Sequence, residues 1–394
     1  MSAAYTSNVS TPGVVLHLAF ELGWTHWKLA FTIGHGQKAR QRTIRARELA
    51  ALEQEITKAK RRFKLGEDAR VVSCYEAGRD GFWLHRYLTT RGVVNMVVDS
   101  ASIEVNRRKR RAKSDRLDAD KLVTMLVRYH AGERKVWSTV RVPGVADEDR
   151  RQLHRDLQEL KDERTRHINR IKGLLASQGL ALETVDESLP EWLLSVRLWD
   201  GTALGADLQR RLVREWQRWQ FVHRQVLDLS VERRRRIRCD DTEHVDMVRQ
   251  LLGLAGIGVN GAWLLVYEFF AWRKLQNRKQ AGALVGLTGT PYHSGSSARE
   301  QGISKAGSRR MRKMLVELAW CWLRWQPESA LSGWYARRFG TGKGPARKIG
   351  IVAVARKLMI ALWRYLEHGE IPAGARLVDW RSKITSPKAR TPAA

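Results

Sequence analysis

"VVLHLAFELGWTHWKLAFTI", residues 14–33, is the stretch that decides the fold of the first part of this chain. Val, Leu and aromatic residues alternate with other residues on either side of Gly23 and Trp24, which is the pattern of two strands joined by a turn. The stretch therefore predicts a β-hairpin. Glu21 stands out in it, because a carboxylate buried in an apolar strand is costly unless a partner compensates its charge.

Helices and strands alternate after this hairpin. In chain order we expect a helix over 46–63, a strand in "ARVVSCYEAG" (69–78) ending at Glu76, a helix in "GFWLHRYLTTRG" (81–92), a strand in "VVNMVV" (93–98) and a helix over 115–129. Strands that alternate with helices in this way are typical of one α/β unit. The pattern predicts an α/β domain over residues 12–131.

The rest of the chain is predicted to be mainly helical. After a linker at 132–145, a long charged helix over 147–178 carries apolar residues at coiled-coil-like spacing. With a second, very basic helix over 206–237 it makes up a helical arm over 146–240. Such an arm could serve dimerisation or partner binding, and an ordinary solvent-facing helix pair explains the pattern equally well. The remaining parts are a mainly α domain with a helix–hairpin–helix-like segment at 246–335 and a basic helical extension with a tail at 336–394.

The composition points to a polyanionic partner. Among 394 residues, 71 are Lys or Arg and 41 are Asp or Glu, which leaves a net charge of +30 spread along the chain. A basic excess of this size is most often matched by nucleic acid. The three cysteines are far apart and form no metal-binding pair, which fits a reducing cytoplasm. No stretch is long and apolar enough for a membrane span, so we expect no membrane partner.

Four carboxylates form the most informative pattern. In "RRAKSDRLDADKL" (110–122), Asp115 and Asp118 lie three residues apart at the start of a predicted helix and so share one face. Glu21 and Glu76 belong to two predicted strands. Four such groups could converge at one edge of a sheet and bind two Mg²⁺ ions, the arrangement that phosphoryl transfer on nucleic acid requires.

A simpler interpretation of the two aspartates stays open from spacing alone. Asp115 could be a helix N-cap, and Asp118 a first-turn acid that the helix dipole favours. Asp120 lies on another face of the helix, and we expect it to be solvated.

A second pattern combines serines, glycines and basic residues. Ser294, Ser296 and Ser297 lie in a Gly-rich segment that we expect to be a loop, and a serine there could attack a phosphodiester. The candidate nucleic-acid-binding residues are Arg299, Lys305, Arg309, Arg310 and Arg312, together with Gly256 and Gly258, whose backbone N–H groups could hold a phosphate. The alternative, a flexible polar loop whose arginines only grip phosphates, is not excluded by the pattern.

These motifs, in this order, resemble the insertion-sequence-110 family of transposases. The carrying segments are "EAG" (76–78) at the end of the strand that follows the hairpin, "KSDRLDA" (113–119) against the family's K-T-D-x-x-D-A, "GLAGIG", "GLTG", "SG" at 294–295 and "GISKAGSRRMR" (302–312). The resemblance implies a RuvC-like, RNase H-like DEDD domain whose Mg²⁺ ligands are Glu21, Glu76, Asp115 and Asp118. It adds Lys113 to the nucleic-acid-binding residues and makes Ser294 the nucleophile.

One departure concerns the first acidic position. The family usually has Asp there and this chain has Glu21, whose extra methylene moves the carboxylate by about one bond length, roughly 1.5 Å. We therefore expect Mg²⁺ binding with altered geometry.

The resemblance also implies a function. It indicates a bacterial, nucleoid-associated transposase that excises and inserts its own element through a covalent phosphoserine intermediate. A noncoding bridge RNA would pair with donor and target DNA, and homodimers would assemble into tetramers in which one subunit's carboxylates meet another's serine. Two alternatives remain: a metal-dependent nuclease of the Holliday-junction type, and a nucleic-acid-binding protein without enzymatic activity.

Overall fold

The computed structural model describes residues 14–103, 115–294, 297–340, 342 and 344–385, with the backbone alone for 115–117 and 292–301. The chain divides after Val142 into two compact units. Lys113, one of the predicted nucleic-acid-binding residues, lies outside the described residues.

The first unit is built on a mixed five-stranded sheet. Its elements are β1 (Leu16–Leu22), β2 (His26–Thr32), β3 (Arg40–Arg45), α1 (Leu49–Arg62), β4 (Val71–Glu76), α2 (Trp83–Thr90), β5 (Val94–Val98) and α3 (Asp115–His130). The strand order is β3-β2-β1-β4-β5, in which β1 to β3 are antiparallel and β4 and β5 run parallel to β1. The predicted α/β character and the predicted hairpin are confirmed.

β3 was not predicted from the sequence. Its sequence, "RQRTIR", buries only Arg40 and Ile44, so it shows little of the apolar alternation by which a strand is detected. Arg40 is buried because its guanidinium forms an ion pair of 2.6 Å with Glu55 of α1. Pairing with β2 and this ion pair hold the strand in place.

The two faces of the sheet carry different helices. Side chains of one parity along β1, such as Leu16, Leu18 and Phe20, pack into a core with α1 and α2. On the opposite face, Ala19 of β1 and Ala30 of β2 pack under α3. Alanines there let the backbone of α3 come close to the sheet, and strand alternation separates the two sets of side chains.

In its described residues, the second unit is helical apart from one hairpin. Its elements are α4 (Val145–Arg150), α5 (Gln152–Ala176), α6 (Leu189–Ser195), α7 (Ala206–Cys239), α8 (Glu243–Leu252), α9 (Val259–Leu265), α10 (Arg278–Ala283), β6 (Gly289–Ser294), β7 (Ser297–Ile303), α11 (Arg309–Trp325), α12 (Ala330–Phe339) and α13 (Pro345–His368). A π-helix, Val266–Phe270, continues α9.

The two longest helices of this unit before α8 pair side by side. Leu157 of α5 packs against Val222 and Val226 of α7, and His167 of α5 bonds Glu215 of α7 at 2.7 Å, so the helices are antiparallel. The helix predicted over 147–178 is interrupted at Arg151, whose N–H bonds the carbonyl of Glu148 in a tighter turn.

The core of the second unit joins helices that are far apart in sequence. Trp263 of α9, Trp322 of α11 and Leu358 of α13 are buried in one cluster, so part of the segment predicted as an extension is an integral core element. Within the described ranges, no helix combines the length and hydropathy needed to cross a bilayer.

A histidine pair makes the first unit sensitive to acid. Burial, with the nearby His130 as a second cause, lowers the pKa of His17 from 6.5 to about 4. The unfolded chain therefore takes up a proton between pH 6.5 and about 4 that the folded chain refuses, and stability is lost as the pH falls through this window. Since His17 is only 5% exposed, we expect a loss of at most about 3 kcal/mol.

Urea unfolding between pH 7 and pH 4, with hydrogen exchange of β1 peptides as the probe, measures this loss. In His17→Gln, which cannot ionise, the midpoint should depend less on pH than in the wild type. An identical pH dependence in the two proteins would contradict the assignment.

Candidate functional site

The sheet brings two of the predicted carboxylates to one edge. The parallel register of β1 and β4 pairs Ala19 with Cys74 and Phe20 with Tyr75, so Glu21 and Glu76 follow at neighbouring positions. Each lies two residues beyond a side chain on the α3 face, Ala19 or Cys74, and so continues that face. Glu21 is half-buried and Glu76 is exposed.

The direction of α3 brings its first turns to the same edge. Near the start of β1, His17 Nε2 lies 3.1 Å from Nδ1 of His130, the last residue of α3. Farther along the sheet, the Cys74 thiol approaches the Leu122 carbonyl oxygen at 4.0 Å. The helix therefore runs antiparallel to β1, and its beginning lies beyond Leu122 on the side of the strand ends.

Helix periodicity then places the two aspartates. Asp118 precedes Leu122 by four residues and Asp115 precedes it by seven, so both positions belong to the helix face that carries Leu122 against the sheet. Asp118 is half-buried, and the side chain of Asp115 lies outside the described residues. Burial and the nearby Glu76 raise the pKa of the Cys74 thiol, so this carboxylate acts on the interior of the α3 face.

The donor set at this edge is made of oxygens. Glu21, Glu76 and Asp118 offer carboxylates, the ligands that hard cations such as Mg²⁺ take. Among the side chains that the structure describes, no group of three or more Asp, Glu, His or Cys is arranged to hold a metal ion. The described side chains thus share an edge and do not by themselves complete a metal centre.

Asp120 differs from its sequence-based interpretation. It is half-buried, and its Oδ1 is buried with no hydrogen-bond partner in the described structure. It lines a cavity of about 510 Å³ together with Val123 of α3 and the segment between β2 and β3 that contains His35. The expectation of another face is correct, and the expectation of a solvated side chain is wrong.

An exposed tryptophan lies at the same end of the sheet. Trp24, in the turn after β1, is 64% exposed, and the guanidinium carbons of Arg47 and Arg79 each lie 4.9 Å from its ring centroid. Arg47 has a left-handed backbone (φ 69°) and reaches Asp80 at 3.4 Å. Aromatic and guanidinium planes of this kind stack on bases. Trp24 was not predicted as a functional residue, although its position directly after the strand that carries Glu21 was a usable signal.

The serine segment is a hairpin and not the expected loop. β6 and β7 are antiparallel and Ser294, the last residue of β6, pairs with Ser297, the first of β7. Residues 295 and 296 lie outside the described residues, and Ser296 is one of these two. The side chains of Ser294 and Arg299 are likewise outside, so the structure places their backbone only.

Two motif segments next to this hairpin each contain a glycine that no other residue could replace without strain. Gly286 (φ 69°), of "GLTG", and Gly307 (φ 82°), of "GISKAGSRRMR", both adopt a left-handed backbone. A Cβ at Gly286 would overlap the carbonyl oxygen of Ala306, and one at Gly307 would overlap that of Leu284. The two motif segments therefore pack backbone against backbone below the hairpin.

The predicted basic residues separate into two groups. Lys305 and Arg309 are exposed. Arg310 lies 3.3 Å from Glu268, and Arg312 donates to the carbonyl of Val285 at 3.1 Å, so both have partners within the unit.

The glycine-rich turn between α8 and α9 also has two roles. Gly256 (φ 84°) lies so close to α11 that a Cβ would be 3.0 Å from the carbonyl oxygen of Cys321. Gly258 precedes α9, is exposed and has open space around its α-carbon. Gly256 is therefore a packing residue, and Gly258 leaves the turn open to a ligand.

Comparison with known proteins gives one consistent result. Residues 248–332 match the family described as Transposase IS116/IS110/IS902 family. The chain is 38% identical to y4rJ of Sinorhizobium fredii, named as a transposase, over 91% of this chain and 94% of that protein. It is 26% identical to the transposase for insertion sequence element IS1328 of Yersinia enterocolitica, over 42% of this chain and 48% of that protein.

The backbone contacts of the motif glycines can be measured as stability. Gly302→Ala meets nothing within 4 Å, so it should cost only the left-handed strain, about 1 kcal/mol. Gly286→Ala and Gly307→Ala add an overlap with backbone and should each cost at least about 2 kcal/mol more, by analogy with overpacked cores. Urea unfolding of the three variants tests this order, and equal losses would contradict the described packing.

Proposed function

Because this chain belongs to the IS116/IS110/IS902 transposase family, we propose that it cuts and rejoins DNA through a covalent phosphoserine intermediate, assisted by a carboxylate site that binds Mg²⁺. It is a transposase of an insertion element, and DNA is its substrate. The observation that carries the proposal is the sheet edge at which Glu21 and Glu76 lie side by side and towards which α3 directs Asp118.

We interpret the first unit as a RuvC-like domain. Three antiparallel strands followed by two parallel ones, with α3 crossing the face that bears the carboxylates, support this interpretation. In it, Glu21, Glu76, Asp115 and Asp118 would hold Mg²⁺, and the ion would offset the negative charge that builds up on the reacting phosphate. Without a cation the carboxylates repel one another, which is why acids at this edge of a basic protein favour a metal role.

Ser294 supplies the nucleophile in this proposal. Its Oγ attacks the phosphorus of a phosphodiester, the Oγ–P bond forms, and the bond from phosphorus to one deoxyribose oxygen breaks. The serine proton leaves to a base, and the released deoxyribose oxygen takes up a proton. Attack by a deoxyribose hydroxyl of another strand reverses these steps and frees the serine, so no external energy source is required.

Exposed cations beside the hairpin fit this role. Lys305 and Arg309 are exposed just after β7, where they can contact the phosphates on either side of the attacked one. Arg310 and Arg312 contribute indirectly, since their partners hold α11 and the "GLTG" segment in place.

We also propose that a noncoding bridge RNA guides this reaction and that dimers assemble into tetramers on the DNA. The support is the family resemblance, together with the charge of +30, which favours binding of nucleic acid. The long antiparallel pair of α5 and α7 offers a surface for such assembly.

Trapping of the covalent adduct tests the nucleophile. Labelled donor and target DNA are incubated with the full chain, Mg²⁺ and RNA transcribed from the element's flank, and the products are separated on a denaturing gel. Ser294→Ala should lose adduct at least about 10³-fold, as expected when a nucleophile is removed. Ser297→Ala, its cross-strand neighbour, is the matched control and should keep it.

Other outcomes would favour other functions. Cleavage that survives Ser294→Ala and is lost in Asp118→Ala would indicate a metal-dependent nuclease. An adduct lost only in Ser297→Ala would transfer the nucleophile to that residue. Binding without any product in the wild type would indicate a nucleic-acid-binding protein.

Glu21 gives a second test of the carboxylate site. Glu21→Gln removes the charge at nearly constant shape and should raise the Mg²⁺ concentration for half-maximal adduct formation by about tenfold, or 1.4 kcal/mol. Glu21→Asp restores the family's usual residue and should stay within about threefold of the wild type. A Mg²⁺ titration that is the same for all three proteins would remove Glu21 from the site.

A further inference from the structure

Among the described residues, the helix pair of the second unit buries an arginine and a histidine with ring or guanidinium nitrogens that have no hydrogen-bond partner. Arg233 of α7 is 5% exposed, and its Nε and Nη1 are buried without a hydrogen-bond partner in the described structure. His154 of α5 is 2% exposed, and neither of its ring nitrogens has a partner there. Buried polar groups are normally satisfied, so two such side chains on paired helices mark an unusual place.

Arg233 and Lys161 lie close enough for their charges to repel, and both disfavour a proton on the ring of His154. Burial lowers the pKa of His154 to about 4, and Arg233 is the next cause. Burial also lowers the pKa of Lys161 to about 8, followed by the charges of Arg233 and Arg164. Lys161 lies two turns after His154 on α5, which puts both on the same side of the helix.

The acid whose charge acts on His154 already has partners. Glu268, in the π-helix, accepts hydrogen bonds of 2.6 and 2.8 Å from Arg155 and lies 3.3 Å from Arg310 and 3.9 Å from Arg151. Three arginines therefore share one buried carboxylate. In the part of the chain that the structure describes, no carboxylate forms an ion pair with Arg233 or Lys161.

This cluster opens towards the surface at one side. Lys161 Nζ is 3.5 Å from Oδ1 of Asn260, an exposed residue in the first turn of α9. Gly258, with open space around it, lies two residues earlier. An anion that approaches α9 can thus reach Lys161, and the charge of Arg233, which lowers the pKa of Lys161, lies near enough to act on the same anion.

We propose that Arg233 and Lys161 form a phosphate-binding site that takes a backbone phosphate of the nucleic acid, with His154 as its neutral wall. A buried unpaired guanidinium destabilises the free protein, and a phosphate would remove that cost. Arg suits phosphate because its planar fork donates two parallel hydrogen bonds. The proposal that the phosphate belongs to a nucleic acid rests on the proposed function. The proposal that Arg233 and Lys161 bind an anion does not depend on it.

Thermal unfolding of the full chain with inorganic phosphate tests the site without any reaction. Phosphate should raise the Tm of the wild type and of Arg224→Gln, an exposed arginine of the same helix, and leave the Tm of Arg233→Gln unchanged. Without phosphate, Arg233→Gln should melt at or above the wild-type temperature, because the unpaired buried charge is gone.

Fluorescence anisotropy at several salt concentrations measures the affinity for a DNA duplex and for an RNA hairpin. The comparison shows which nucleic acid places a phosphate in the site. For the nucleic acid whose phosphate enters the site, Arg233→Gln should bind about tenfold more weakly than Arg224→Gln, and the slope of log K against log salt should fall by about one. Lys161 is half-buried, and Lys161→Gln provides a second variant. It should also lower the affinity for that nucleic acid and the slope of log K against log salt.

Two results would overturn the site. One is a phosphate-induced Tm shift that survives in both Arg233→Gln and Lys161→Gln. The other is a lower Tm of Arg233→Gln without phosphate combined with unchanged nucleic-acid binding, which would assign Arg233 to structure alone. A wild type that shows the phosphate shift and forms no adduct would contradict the proposed function and leave the anion site standing.

Discussion

The antiparallel packing of α3 on the central strands is the constraint on which the first unit depends. The small side chains of Ala19 and Ala30 let α3 pack close to the sheet. The contacts of His130 with His17 and of Leu122 with Cys74 set the direction of the helix. If the helix ran the other way, Asp118 would lie at the opposite end of the sheet from Glu21. A packing interaction between small and apolar side chains thus decides whether the acids can act together.

The second unit depends on a different interaction, which compensates the charges of arginines that lie close together. Glu268 is buried in a π-helix and is shared by three arginines from α5, α11 and the turn before α5. Breaking such a network leaves buried charges uncompensated, so it ties distant parts of the chain to one another. Arg233 and Lys161 have no described carboxylate partner, unlike the three arginines around Glu268. The arginines around Glu268 therefore form a structural cluster, and Arg233 with Lys161 forms a place where an external anion is favoured.

Local patterns predicted much of the secondary structure. The β1–β2 hairpin, the buried strand that ends at Glu76 and the long charged helices follow from side-chain periodicity, which depends only on residues close in sequence. β3 was missed because only Arg40 and Ile44 are buried in it and its stability comes from β2 and Glu55. The hairpin at Ser294 was taken for a loop because its residues are small and polar, and strand pairing overrides their weak preference.

The amino-acid sequence by itself determined the α/β character of the first unit, the basic charge and the family. These depend on residue types, their order and short periods, all of which are present in the chain before it folds. Only the tertiary structure decided that Glu21 and Glu76 are neighbours and that Arg310 and Arg312 face protein partners. It also decided that two nitrogens of Arg233 are buried with no partner among the described residues. Those facts depend on the register and direction of elements distant in sequence, because burial and pairing arise only when such elements pack together.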